Sequence, residues 1–256
     1  ELWLQNAAYL WIPFIAASAL LSWFFMNDIA EAKASLANQI AIFERKHNWI
    51  MCILYIGTFG SFIGFSAGFP LLAKSQFPEI NSLQLVFIGP LLGAISRASS
   101  GWISDKFGGG RVTLWVFVAM IIGALGVYYF LTIKEHPMAF YGFFGMFLAL
   151  FIATGIGNAS TFQMIPAIFW QDRSRALKGQ KEDEIRKVAE RESAAVIGFS
   201  SAIGAFGAFF IPKSYGTAIT ITGSPSVALM VFAAFYTLCL FLTWFYYTRP
   251  NAEIRC

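Results

Sequence analysis

Seven stretches of about twenty mainly apolar residues, divided by short segments that hold nearly all the charge, confine this chain to a membrane. They run approximately over residues 3–26, 48–73, 83–104, 112–133, 138–170, 192–212 and 225–248. A helix rises about 1.5 Å per residue, so about 20 residues cross about 30 Å of hydrocarbon with every backbone group bonded internally. The fifth stretch is long enough to tilt, bend or leave the bilayer. Composition agrees: 57% of residues are apolar and 12% are charged, about half of what covers the surface of a water-soluble domain. The net charge of +4 therefore belongs to loops at the lipid surface and implies no nucleic-acid partner. Cys52, Cys239 and Cys256 have neither metal-ligand spacing nor a disulfide pattern and read as buried or free thiols. No cleavable signal is expected. The opening residues, Glu1-Leu2-Trp3, lack an initiator Met, and the chain reads as a fragment.

Loop charge sets the expected orientation. Fourteen Lys and Arg residues fall on one side, among them Arg45, Lys46, Lys106, Arg111, Arg173 and Arg249, against Lys74, Lys134 and Lys213 on the other. Positive loops stay cytoplasmic, which places the C-terminus inside. Residues 27–47 interrupt the apolar pattern with Asp28, Glu31, Lys33, Glu44, Arg45 and Lys46, while Ile29, Leu36, Ile40 and Phe43 recur at helical spacing. This segment is expected to be an amphipathic connector on the cytoplasmic face. The expected layout is a single span over 1–26, the linker 27–47, a six-helix bundle over 48–248 and a cytoplasmic tail over 249–256. It is the layout of a twelve-helix transporter of two six-helix halves that lacks its first five helices.

Arg97 is the only ionised residue well inside a span, roughly 12 Å from Asp105 at helical rise. An Arg at a span centre costs about 2.5–3.5 kcal/mol on insertion scales, so it either snorkels, pairs or faces a polar cavity. No Asp or Glu stands at comparable depth in another span, which favours the cavity and a planar oxyanion that the guanidinium fork can hold. Tyr55 and Phe59 share a helix face four residues apart. They offer a phenol and a stacked ring to a small ligand, although such a stripe more often serves packing. Glycines cluster at Gly155 and Gly157, followed by Asn158 and Ser160, and again at Gly198, Gly204 and Gly207. Close helix packing explains them at least as well as a pore lining does. His47 and His136 stand at span ends, where a solvated or interfacial role is expected. No nucleophile–base pair, metal-ligand spacing or cofactor loop appears, so neither an enzyme nor a cofactor is expected.

GWISDKFGGGR (Gly101–Arg111) joins the third and fourth spans. It resembles the short cytoplasmic motif of the major facilitator superfamily, a Gly, then an acid, a cation, a Gly and basic residues, except that Gly109 and Gly110 stand where basic residues are usual. More specific are FGSFIGFSAG (Phe59–Gly68), GPLLGAISR (Gly89–Arg97), STFQMI (Ser160–Ile165) and GFSSAIG (Gly198–Gly204). With these, essentially the whole chain resembles the C-terminal half of bacterial NarK/NarU-type nitrate/nitrite transporters. The resemblance implies an all-α integral membrane fold comprising the six-helix C-terminal bundle and the last helix of the N-terminal half. It implies Arg97 as a substrate arginine, Tyr55 and Phe59 as pocket walls, and Gly198, Gly204 and Gly207 as part of a glycine-rich nitrate motif. The remaining ligands would come from an N-terminal half outside this chain. Nitrate and nitrite are the implied substrates, carried by alternating access across the bacterial inner membrane. Because no titratable group lies deep in these spans, nitrate/nitrite antiport is expected, with proton-coupled symport, a scaffold or a channel subunit as the alternatives.

Overall fold

The computed structural model describes residues 4–27, 40–80 and 84–256, so the connector expected over 27–47 lies largely outside the described residues. The chain divides into two units, residues 1–36 and 37–256. In the first, α1 (Leu4–Phe25) carries no charged residue and keeps its helix through Pro13. Its 22 residues reach about 33 Å.

The second unit begins with a 3-10 turn, Ala41–Glu44. Four of the expected spans continue as helices long and apolar enough to cross a membrane: α2 (Lys46–Gln76), α5 (Gly109–Thr132), α6 (Ala139–Ala176) and α9 (Ser226–Thr248). The fifth such helix, Glu182–Thr222, comprises α7 (Glu182–Ala205) and α8 (Gly207–Thr222), which meet at a one-residue break on Phe206. Gly204 and Gly207 flank that break, and Pro212, with no N–H to donate, follows six residues later. Two boundaries therefore depart from the hydropathy reading. The sixth span starts ten residues earlier than residue 192, and Lys213, expected in a loop, stands on α8 with its ammonium 5.1 Å from the Phe209 ring centre. The third span is also divided, into α3 (Ile88–Ser99) and α4 (Gly101–Phe107), because Ser100 takes φ −96° and ψ −2°, where an α-helix does not continue smoothly.

The long helix α6 is the hub, packing against α2, α3, α4, α5 and α7, while α9 packs on α5 and α8 on α2. Between α2 and α6 the core is aromatic. Phe65 and Phe147 meet edge to face at 5.7 Å, Phe69 lies 4.6 Å from Phe147, and Phe143 sits 5.0 Å from Phe147. In lipid, apolar burial does not by itself draw helices together, so close packing and interhelical hydrogen bonds must do so. Such bonds join Ser61 to Tyr236 at 2.8 Å, Thr58 to Thr161 at 3.2 Å and Thr113 to Ser160 at 2.7 Å. Glycine supplies the close approach. A Cβ on Gly207 would stand 2.1 Å from the Gly60 carbonyl oxygen, so α2 and α8 touch backbone to backbone. A Cβ on Gly155 would stand 2.3 Å from the Gly93 oxygen, which fixes α3 on α6 in the same way. The turn between α4 and α5 needs Gly108, whose φ is +88°.

Candidate functional site

Tyr55 closes the first α-helical part of α2, and a π-helical turn, Ile56–Gly60, follows it. Such turns widen the helix locally and recur at functional sites. Here the widened turn brings Tyr55 and Phe59 into a stacked pair, ring centres 5.1 Å apart and planes 27° from parallel. Arg97, in the last turn of α3, places its guanidinium carbon 5.9 Å from the Phe59 ring centre, within cation–π range. Gly204 completes the group, since a Cβ there would lie 3.0 Å from the Phe59 ring and 3.2 Å from the Tyr55 ring. The fold thus unites four of the residues singled out in sequence, Tyr55, Phe59, Arg97 and Gly204, from three separate helices.

Arg97 makes no ion pair among the described residues. Its charge also borders a pocket of about 390 Å³ lined by Phe62, Ala94, Ala159, Phe162 and Gln163. The polar wall is Gln163, whose amide nitrogen donates to the Gly101 carbonyl at 3.3 Å and to Asp105 at 3.1 Å, while its amide oxygen is buried without a partner. Through Gln163 the pocket is bonded to the acid of the Gly101–Arg111 motif. An uncompensated guanidinium beside an aromatic face and an amide has the chemistry to hold an anion, because the fork supplies paired donors and the ring covers one side.

The other glycines separate by neighbourhood. Gly207 faces Gly60, Gly155 faces Gly93 and Ser96, and Gly157 faces Thr58 and Val116, whereas nothing lies within 4 Å of a Cβ on Gly198. Ser160 is buried and bonded to Thr113. Asn158 is fully buried on α6, and neither end of its amide has a partner. Buried amides are seldom left so, which marks Asn158 as the one member of the Gly155–Ser160 group with unused hydrogen-bonding capacity.

Sequence reasoning missed a second polar cluster, at the end of the bundle where α2 and α7 begin and α6 and α9 end. Glu192, only 6% exposed, receives Arg45 at 3.0 Å and lies 3.4 Å from Arg173, which also pairs with Asp172. His47, expected to be solvated or interfacial, is 2% exposed and bonded through Nδ1 to the Tyr247 hydroxyl at 3.0 Å. Lys46 pairs with Glu253 in the tail. The available signal was an acid, Glu192, at the start of an apolar run facing a strongly basic side, but hydropathy cannot say which cations converge on it. His136 is exposed, as its span-end position implied.

These features define the class: an all-α, multi-pass membrane protein with the major facilitator type of fold. Over 255 residues, 98% of the chain, it is 48% identical to the nitrate/nitrite transporter NarU of Salmonella typhimurium, covering 54% of that protein. It is likewise 48% identical over 249 residues to NarU of Escherichia coli, 96% of the chain against 54% of the relative, and 35% identical over 262 residues to a probable nitrate/nitrite antiporter, NarK2, of Thermus thermophilus, 100% of the chain against 54% of the relative. The chain is a homologue of the NarK/NarU-type nitrate/nitrite transporters, and it spans about half the length of the curated relatives it matches. No protein-family model matches it.

Proposed function

We propose that this chain forms the C-terminal half of an inner-membrane nitrate/nitrite antiporter, with residues 1–26 as the last helix of the other half, residues 27–47 as a cytoplasmic linker and the C-terminus inside. The observation that carries this reading is Arg97, unpaired among the described residues and held over Phe59 beside the Tyr55 stack. Nitrate is planar and monovalent, so two coplanar guanidinium donors suit two of its oxygens while an aromatic wall covers its face. A second set of ligands from the other half would complete the site, and rocking of the halves would expose it to each side in turn. Gly198, Gly204 and Gly207 belong to this reading as the part of α7 and α8 that lets the halves and helices pass closely, with Gly155, Gly157, Asn158 and Ser160 on the neighbouring helix. No bond in the substrate is made or broken, so the protein is a carrier and not an enzyme.

The test uses the full-length protein in proteoliposomes. Arg97→Lys keeps the charge but loses the planar fork, and nitrate uptake against internal nitrite should fall at least about tenfold, the loss of one charge-assisted hydrogen bond. Uptake near wild type would make Arg97 a snorkelling residue. Uptake that follows a pH gradient and ignores internal nitrite would replace antiport with proton symport.

A further inference from the structure

On the other side of α4 from Arg97, a groove of about 560 Å³ runs between α4 and α5 over a floor of α6. Its walls are apolar, with Ile103, Phe107, Trp115, Ile152 and Ile156 among them, and Arg111 stands at one end. Arg111 and the adjacent Lys106 make no ion pair among the described residues. Lys106 lies with its ammonium 5.5 Å from the Phe107 ring centre, at the same end of the groove.

The groove opens outward. Trp115, Ile122 and Tyr129 repeat every seven residues along α5 and are 69%, 61% and 57% exposed, while Phe117, Met120, Ala124 and Val127 on its opposite side are buried. An exposed apolar stripe on a membrane-length helix faces acyl chains, and the groove is continuous with that stripe through Trp115. From Arg111 to Ala119 the wall of α5 extends about 12 Å inward, deep enough to seat part of an extended hydrocarbon chain. Trp115, one turn from Arg111, stands where indoles settle at a membrane interface.

We infer that this groove is a binding site for an anionic phospholipid, with one acyl chain along α5 and α6 and the phosphate held by Arg111 and Lys106. Charge complementarity selects the occupant. A zwitterionic lipid gains equally from the apolar walls but carries its own cation against Arg111. A second copy of this chain would bring the same basic end to the contact. The site is independent of nitrate, and its occupancy does not require transport.

Native mass spectrometry of the full-length protein, titrated in detergent with dioleoyl phosphatidylglycerol or dioleoyl phosphatidylcholine, tests this directly because the two lipids share their acyl chains. The first phosphatidylglycerol should bind about fivefold or more tightly than the first phosphatidylcholine, the effect of one basic residue near a lipid headgroup. Arg111→Gln combined with Lys106→Gln should erase that preference and Arg111→Lys should keep it. Ala149→Trp and Ala119→Leu, which fill the exposed groove without entering the core, should each weaken the first site for both lipids; an unchanged elution volume on size exclusion confirms folding of each variant. Equal affinity in the wild type, or a preference that survives the combined Arg111→Gln and Lys106→Gln change, overturns the assignment. So does a dimer that carries no lipid and dissociates on Ala149→Trp, which would give the groove to a second copy.

Discussion

Three glycines on one stretch of helix meet three different surroundings, so their alanine variants should separate cleanly. In Gly207→Ala the new Cβ would stand 2.1 Å from the Gly60 oxygen and 2.5 Å from its carbonyl and α carbons. The obstacle is backbone, which cannot rotate away, so α2 and α8 must part by about 1 Å, at an overpacking cost of about 1–3 kcal/mol. Gly204→Ala meets ring edges at 3.0 and 3.2 Å. The rings of Phe59 and Tyr55 can yield by a few tenths of an ångström, at a cost of about 1 kcal/mol or less, but the yielding rings are the proposed pocket wall. Gly198→Ala meets nothing within 4 Å and gains about 1 kcal/mol of helix propensity. Thermal stability in detergent should therefore fall in Gly207→Ala, change little in Gly204→Ala and hold or rise in Gly198→Ala. Nitrate/nitrite exchange in proteoliposomes should fall more in Gly204→Ala than its stability explains. A Gly198→Ala variant as unstable as Gly207→Ala would refute the reasoning, because the cost would then not follow the distance to the facing helix.

Further expectations follow from the two polar clusters and the tail. Tyr55→Phe keeps the stack on Phe59 and should retain most nitrate affinity, while Tyr55→Ala removes it; equal losses would make the hydroxyl the ligand contact. Glu192→Gln leaves Arg45 and Arg173 without their shared carboxylate, a loss of about 3 kcal/mol, at the low end for a broken buried pair because Asp172 still balances Arg173. Its melting temperature should drop well below that of Arg186→Gln, which breaks only the exposed Arg186–Glu190 pair; similar values would deny the cluster a structural role. Burial pushes the Cys256 thiol up to about 12, so at pH 8 it is almost wholly protonated, and thiolate is the reactive form. Maleimide labelling of Cys256 should be slow in the folded protein and quicken on denaturation, and rapid labelling of the folded form would contradict the packing of the tail.

What was legible in the sequence was whatever depends on the local run of residues. Hydropathy located the spans because each must satisfy its own backbone in lipid, and Arg97 stood out because a lone charge in such a run is costly. Helical spacing put Tyr55 and Phe59 on one face, but the π-helical turn at which their rings stack is not written in that spacing. What could not be read depends on which helix lies opposite. The same glycine pattern serves Gly207, jammed against Gly60, and Gly198, with open space around it, because spacing records the face and not the partner. The break at Ser100 leaves no mark in a hydropathy window because Ser is near neutral there, and the extension of α8 past Lys213 leaves none because an exposed Lys lying over an aromatic ring does not end a helix.

The buried acid exposes the same limit from the opposite direction. In the sequence Glu192 stands at the edge of an apolar run, where charge ordinarily marks the edge of lipid, yet its surroundings make it part of the packed end of the bundle. A carboxylate can be buried there because two guanidiniums reach it from separate helices, Arg45 ahead of α2 and Arg173 near the end of α6. Arg97 presents the reverse case: a deep cation for which the described residues supply no carboxylate, only a ring and an open pocket. Glu192 is buried and compensated within the bundle, whereas Arg97 is exposed on this half and has no carboxylate beside it among the described residues. Compensation costs nothing further when the helices stay together, so the Glu192 cluster suits a fixed clamp. An uncompensated guanidinium gains most when an anion arrives, which is why the proposed anion site is placed at Arg97 and not at the more heavily charged end of the molecule.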